Sequence, residues 1–279
     1  MFEPNFDSRL ILIYLAVLYK GDFQQVVTHM LNKDYDVSYS KAMRVYNSLK
    51  CKVMTILDYD YPEKLRKMPH APVVIFYYGD ITLLDKNIVA VVGSRDYSEY
   101  GKAATENIIK DIAKETVIIS GLARGIDAIA HQAAIDNGGR TIAVLGSGID
   151  RCYPSENQPL YDEIKKNHLI ISEYPFRVTP DGEHFPMRNR IVIGLADAVY
   201  VPQINEYASG TMISVTIAAN LNKDVFVAPY PQGSETINNQ MINEGALLVE
   251  SGRQILEDDL VYLARMVSTQ VRRSPEIFI

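Results

Sequence analysis

The chain has 279 residues, 47% hydrophobic and 22% charged, the composition of a soluble globular protein with room for one large domain or one large and one small. A formal net charge of −6 excludes a surface coated in basic charge, of the kind that holds duplex DNA without selectivity, but leaves room for a local basic cleft. Two cysteines, Cys51 and Cys152, make neither a disulfide framework nor a metal-ligand pair, which fits a reducing, cytoplasmic compartment.

Residues 1–60 read as a small all-α unit, SAM- or helix-hairpin-like. Asp7 or Ser8 caps a first helix that runs to about Lys20 and stops at Gly21. Its run "LILIYLAVLYKG" follows Glu3 and Asp7 against a lone Arg9, shows no small-residue cleavage site and is too short to span a bilayer. A buried core helix is expected there, and no membrane segment. A second helix falls near Phe23–Leu31. A third starts at Ser38 or Ser40, with Ala42, Met43, Val45, Tyr46 and Leu49 at helical spacing. Residues 61–86 bridge to the next unit, Pro62 opening a short helix and "PVVIFYYGD" forming a strand.

From 87 to about 265 the pattern alternates. Strand-like runs fall at Ile88–Val92, Thr116–Ser120, Thr141–Leu145, Leu169–Ser172, Ala198–Val201, Val225–Ala228 and Ala246–Val249, with amphipathic helices such as Ala103–Lys114 and Met212–Leu221 between them. Short β-branched strands alternating with helices specify an α/β fold, a Rossmann-like, doubly wound, mostly parallel sheet. The tail 266–279 is too short for a further domain.

In such a sheet the C-terminal ends of the strands share one edge, where ligands bind. Four loops there carry glycine or serine before a helix: Gly93-Ser94-Arg95, "SGLARGID" with Ser120, Gly121 and Arg124, "GSGIDR" with Gly146 and Gly148, and "ASGT" with Ser209, Gly210 and Thr211. "HFPMRNR" adds Arg188, Asn189 and Arg190. Each loop alone is equally an ordinary tight βα turn. Together they point to an extended row of anion sites, since helix N-termini expose N–H groups and arginine binds phosphate bidentately. Between Arg95 and Arg190 there are seven arginines and five lysines, and all five lysines sit on predicted helices rather than in the loops. Such a row suits a polyphosphate chain better than one pyrophosphate, and Tyr97, Tyr100, Tyr153 and Phe185 beside it are either base-stacking rings or rim packing. "GSGIDR" breaks the dinucleotide fingerprint at Arg151, and Glu173 is the nearest candidate for a ribose ligand. Asp127 and His131 have metal-ligand spacing without a third ligand, and Cys152 has no base beside it. No catalytic residues and no cofactor are expected.

The ordered series "AVVGSR", "SGLARGIDAIAH", "TIAVLGSGID", "ISEYP", "FPMRNRIVIGL", "SGT" and "INEGALLV" resembles the DNA-processing protein A (Smf) family over about Leu57 to Gly252. The resemblance implies a cytoplasmic, non-enzymatic, dimeric protein with an extended Rossmann fold. It would bind and protect incoming single-stranded DNA and load a RecA-type recombinase in natural transformation. Gly93, Ser94, Arg95, Gly121, Arg124, Arg188 and Arg190 would line its DNA pocket, and Met241, Ile242 and Leu248 would form the dimer patch or else pack the core. The family's optional C-terminal winged helix is expected to be missing. The chain departs from the family pattern at "SENQPL" after Pro154, at "VPQ", at "APYP" and at Ile237. Two other readings stay open: a sensor of a free nucleotide, and an enzyme similar to the nucleotide phosphoribohydrolases, whose "PGGxGTxxE" loop is lacking in "EYASGTMISV".

Overall fold

The computed structural model describes residues 8–33 and 35–256. The expected Asp7 cap, the end of the α/β unit after residue 256 and the tail 266–279 lie outside the described residues. Helix α1 (Ser8–Leu18) buries every residue from Leu10 to Ala16, so it is apolar all round and wedged inside the molecule. Helix α2 (Phe23–Asn32) is capped by Asp22, which accepts from the Gln25 N–H, and α3 (Tyr39–Ser48) by Ser38, which accepts from Lys41 N–H.

Here the chain leaves the all-helical reading. Lys52–Thr55 is strand β1, followed by the single helical turn α4 (Glu63–Arg66) and strand β2 (Val74–Gly79). Strand β1 pairs antiparallel with β2, Val53 opposite Phe76. Four residues carry too short a pattern to read as a strand. What recruits them is the open edge of β2, some twenty residues away in sequence. The bridging segment therefore contributes a strand to the sheet and is no mere linker.

The alternation then follows: β3 (Ile88–Val91), α5 (Glu99–Ile112), β4 (Val117–Ser120), α6 (Ile126–Asp136), β5 (Arg140–Leu145), α7 (Gln158–Asn167), β6 (Leu169–Ser172), α8 (His184–Leu195), β7 (Ala198–Val201), α9 (Gly210–Asn220), β8 (Val225–Val227), α10 (Asn238–Asn243), β9 (Leu247–Leu248) and the short α11 (Arg253–Leu256). The nine strands form one sheet in the order β1-β2-β6-β5-β4-β3-β7-β8-β9. Pairings from β6 to β9 are parallel, and β2 joins β6 antiparallel with Phe76 opposite Ser172.

Both faces of the sheet are covered at its centre, where β3, β4 and β6 are buried along their whole length rather than alternating. Ile88, Ala90 and Val144 pack against Ile191, Val192 and Leu195 of α8 and Val215 of α9. On the other face Val89, Val91 and Ile118 meet Ile108, Ile109 and Ile112 of α5 and Ala130 of α6. Beside them, α1 and Ile164 of α7 close over Phe76, Ala143, Leu145 and Ile170. The N-terminal helices thus share a core with the sheet.

Strand order reverses between β3 and β7: successive strands after β3 run outward one way, and those after β7 run the other. Loops leaving these two neighbours diverge, and the crevice between them is where a doubly wound sheet binds ligands.

Candidate functional site

A cavity of about 380 Å³ opens at that crevice. Gly93, Ser94 and Arg95 line it after β3, Asn205 and Ser209–Thr211 after β7, and Phe185, Arg188 and Asn189 on α8 close it. A second cavity of about 270 Å³ shares Arg95, Gly121, Phe185 and Arg188 with the first and adds Arg124, Gly146 and Tyr153. A third, about 280 Å³, contains Arg95, Arg124 and Tyr97. Arg95 belongs to all three.

The loops are locked to one another by backbone. Gly125 has φ +79°, and a Cβ there would stand 2.5 Å from the carbonyl oxygens of both Ser94 and Arg95, so the β4–α6 loop can lie against the β3–α5 loop only as glycine. The Ile126 N–H donates to Ser94 O across the same contact. Ser94 N–H in turn donates to Gln203 O at 3.0 Å, extending the β3–β7 pairing. That amide is therefore spoken for and is not an open anion donor, contrary to the simple picture of a Gly-Ser-Arg backbone cradle.

Arg95 is exposed, with its guanidinium 5.8 Å from the centre of the Phe185 ring. Phe185 stacks on Tyr153 at 5.6 Å and 27°. A cation and two rings thus form one ladder along the wall of the cavities, with Tyr153 half-exposed. Arg188 lies under the same wall. It is buried, its Nη1 donates to Val144 O at 2.8 Å, and its Nε has no partner. It occupies the space a side chain on Gly121 would take, a Cβ there being 1.5 Å from Nη1. Burial pulls its pKa down. The Asp127 carboxylate opposes that pull, while the like charge of Arg95 adds to it. In the second cavity Arg95, Arg124 and Arg188 outnumber Glu156, whereas the first also carries Asp96, Asp127 and Glu206.

Asp127 has a structural task. Its Oδ2 accepts from the Gly121 and Ala123 N–H groups, tying the head of α6 to its own loop, and burial outweighs these donors and Arg188 in raising its pKa. His131, its partner in metal-type spacing, is buried and bonded through Nδ1 to Thr141 Oγ1 at 2.6 Å. Among the described residues no cluster of His, Cys, Asp or Glu could hold a metal. Burial raises the Cys152 thiol to about 11 and the Cys51 thiol to about 12, so neither is a nucleophile at neutral pH.

Of the residues anticipated at the site, Gly93, Ser94, Arg95, Gly121, Arg124, Gly146, Arg188, Asn189, Ser209, Gly210 and Thr211 do line these cavities. At α9, Ser209 Oγ accepts from Met212 N–H, leaving Gly210 and Thr211 in the first turn, where N–H groups have no intrahelical partners. Asn189 ties this end down by donating to Gly210 O.

Three expected residues fall elsewhere. Ser120 is wholly buried and donates to Val91 O, joining β4 to β3. Gly148 donates its N–H to Val178 O and packs against the segment after β6. Arg190 is buried on the far side of α8, its Nη2 2.7 Å from both oxygens of Glu173 and its guanidinium 5.7 Å from the Phe23 ring. Burial raises the Glu173 pKa, with Arg190 opposing. Glu173, the supposed ribose ligand, is thus the partner of a buried ion pair. Tyr100 is anchored, donating to Pro229 O and packing edge-on to Tyr230. In the expected dimer patch, Met241 is core and Ile242 packs against that core, leaving Leu248 alone substantially exposed.

Sequence reasoning missed the strap across the crevice. Gln203 Oε1 accepts from Ser98 N–H, Ser98 Oγ and Tyr230 Oη, and its Nε2 donates to Asn205, whose Nδ2 reaches Asp96 O. Two amides just past an apolar strand were the signal. Their partners on the β3–α5 loop, Ser98 and Asp96, lie about a hundred residues away.

A family model described as DNA recombination-mediator protein A matches residues 52–259. DNA processing protein DprA of Streptococcus pneumoniae is 44% identical over 206 residues, 73% of each chain. The X-ray structure of DNA processing protein A from that organism superposes with a TM-score of 0.73 at 36% identity, covering 88% of this chain and 92% of the other. A Helicobacter pylori structure, described as giving insight into the single-stranded DNA binding mode of its DNA processing protein A, has a TM-score of 0.67 at 31% identity, covering 74% and 94%.

Proposed function

The chain belongs to the DNA recombination-mediator protein A family, and from that premise we propose that it binds single-stranded DNA in the row of cavities centred on Arg95. The observation that carries this reading is the ladder of Arg95, Phe185 and Tyr153 running between cavities that Arg188 and Arg124 also line. Phosphates meet guanidinium groups and the first turn of α9, and bases stack on the rings. Contacts of both kinds ignore sequence, as a protein that takes any incoming strand requires.

Several joined cavities exceed what one mononucleotide fills, which supports a polymer over a nucleotide sensor. Helix α9 carries Ser214 and Val215 where a phosphoribohydrolase needs its glutamate, which supports binding without turnover. In this reading the protein acts in the cytoplasm as a homodimer, shields the strand and passes it to a RecA-type recombinase. Among the described residues no helix is long and apolar enough to cross a membrane.

Fluorescence anisotropy of a labelled single strand, against the matching duplex and free mononucleotides across a salt series, tests the binding. Arg95→Ala is expected to weaken all single strands at least about ten-fold and to flatten the salt slope by about 0.7. Binding of mononucleotides alone would overturn the reading. Recombinase loading is read separately, as faster filament formation on a strand already held by this protein.

A further inference from the structure

Past Tyr153 the chain makes one tight turn, Ser155–Asn157, and Glu156 is exposed on it. The turn is fixed in place, because Asn157 Nδ2 donates to the carbonyls of Leu122 and Ala123 on the β4–α6 loop. Glu156 lines the second cavity beside Arg95, Arg124 and Arg188, where it is the only acidic residue among the described lining residues. It also lines the third cavity, beyond Arg124, and a fourth of about 550 Å³ between α5 and α6 that carries Lys102 and Lys110. Among the described residues its carboxylate makes no ion pair.

The third and fourth cavities adjoin, sharing Tyr97, Ala128, Ile129, Glu156 and Asn157 as walls. The third cavity sets Arg95 and Arg124 against Asp96 and Glu156, and of these two acids only Glu156 also lines the fourth. The fourth cavity also holds Glu106 and Asp136, the latter accepting from Gln132, so with Glu156 in place its acids outnumber its lysines. We propose that Glu156 terminates the single-strand track. Its charge stops the phosphate chain at Arg124 and keeps it out of the α5–α6 groove, limiting the number of nucleotides one protomer holds. This inference rests on the DNA-binding reading above.

The test is affinity against oligonucleotide length, measured for oligo-dT of increasing length on the full chain. Wild type is expected to reach a plateau. E156Q, an exposed and nearly isosteric change, is expected to move the plateau to longer strands, with a gain in affinity that is larger beyond the wild-type plateau than below it. The gain beyond it is about two- to five-fold, the worth of one exposed charge. E156K extends the plateau further and steepens the salt slope for long strands by about 0.7. Adding K102A and K110A to E156Q returns the wild-type plateau. An unchanged plateau in E156Q, a gain equal at all lengths, or a gain that survives loss of both lysines overturns the inference. Absence of any single-strand binding by wild type would instead strike the DNA-binding reading itself.

Discussion

Arg188 and Arg190 stand two residues apart on α8, and at about 100° per residue the helix turns them to opposite sides. Arg188 lies against Gly121 and lines the cavities, whereas Arg190 faces inward and holds Glu173. Both members of that second pair are under a tenth exposed, so losing one strands a charge in the interior. Arg190→Met is expected to destabilise the protein by about 3–5 kcal/mol in urea titrations. It should leave the single-strand affinity of the folded protein within two-fold at low temperature. Pairing it with Glu173→Leu should recover most of the lost stability. Arg95→Ala is the converse case, with large loss of binding and little loss of stability, because the side chain is exposed. An Arg190→Met effect on affinity as large as that of Arg95→Ala would return Arg190 to the DNA site.

At the scale of elements, α6 is docked by a polar relay inside an apolar layer. Thr141 Oγ1 donates to Ile118 O, so it must accept from His131, which fixes the proton on Nδ1 and leaves Nε2 as a buried lone pair without a partner. Burial, with the nearby Arg188 charge adding to it, depresses the His131 pKa from 6.5 to about 3. Between those values the unfolded chain carries a proton that the folded chain refuses. Stability therefore falls as pH drops from about 6.5 toward 3, by at most about 1.4 kcal/mol per pH unit from this group. Urea midpoints at stepped pH should show that slope, and His131→Gln should remove this residue's share of it. An identical acid slope in the variant would mean that other groups govern it.

At the scale of the whole molecule, the nine-stranded sheet makes the N-terminal helices and the α/β unit one body. Leu15 and Ile13 of α1 are wholly buried in the same cluster as Phe76 and Ile170. Amide hydrogen exchange should give α1 an opening free energy close to that of β2 and β6, because α1 cannot leave without uncovering that cluster. Leu15→Ala should lower the global stability by about 2–5 kcal/mol. Exchange of α1 at a much lower free energy than the sheet would make the helices a separately folding unit. The same unity serves the site, since crevice walls from β3, β4, β7 and α8 hold their spacing only while the sheet is whole.

The chain by itself determined its seven parallel strands, because a strand buried on both faces needs an unbroken run of β-branched and apolar residues wherever it lies. It also determined which loops carry glycine and arginine, since those requirements are local: a tight turn, a helix start, a phosphate donor. Strand β1, the Gln203–Asn205 strap and the interior places of Ser120, Gly148, Arg190 and Met241 were decided by tertiary structure. Each depends on a partner distant in sequence or on which way a helix faces once packed. The β3–β7 switch point belongs with these. Strand order is set by crossovers that no local pattern encodes, and only that order makes neighbours of the loops that build the site.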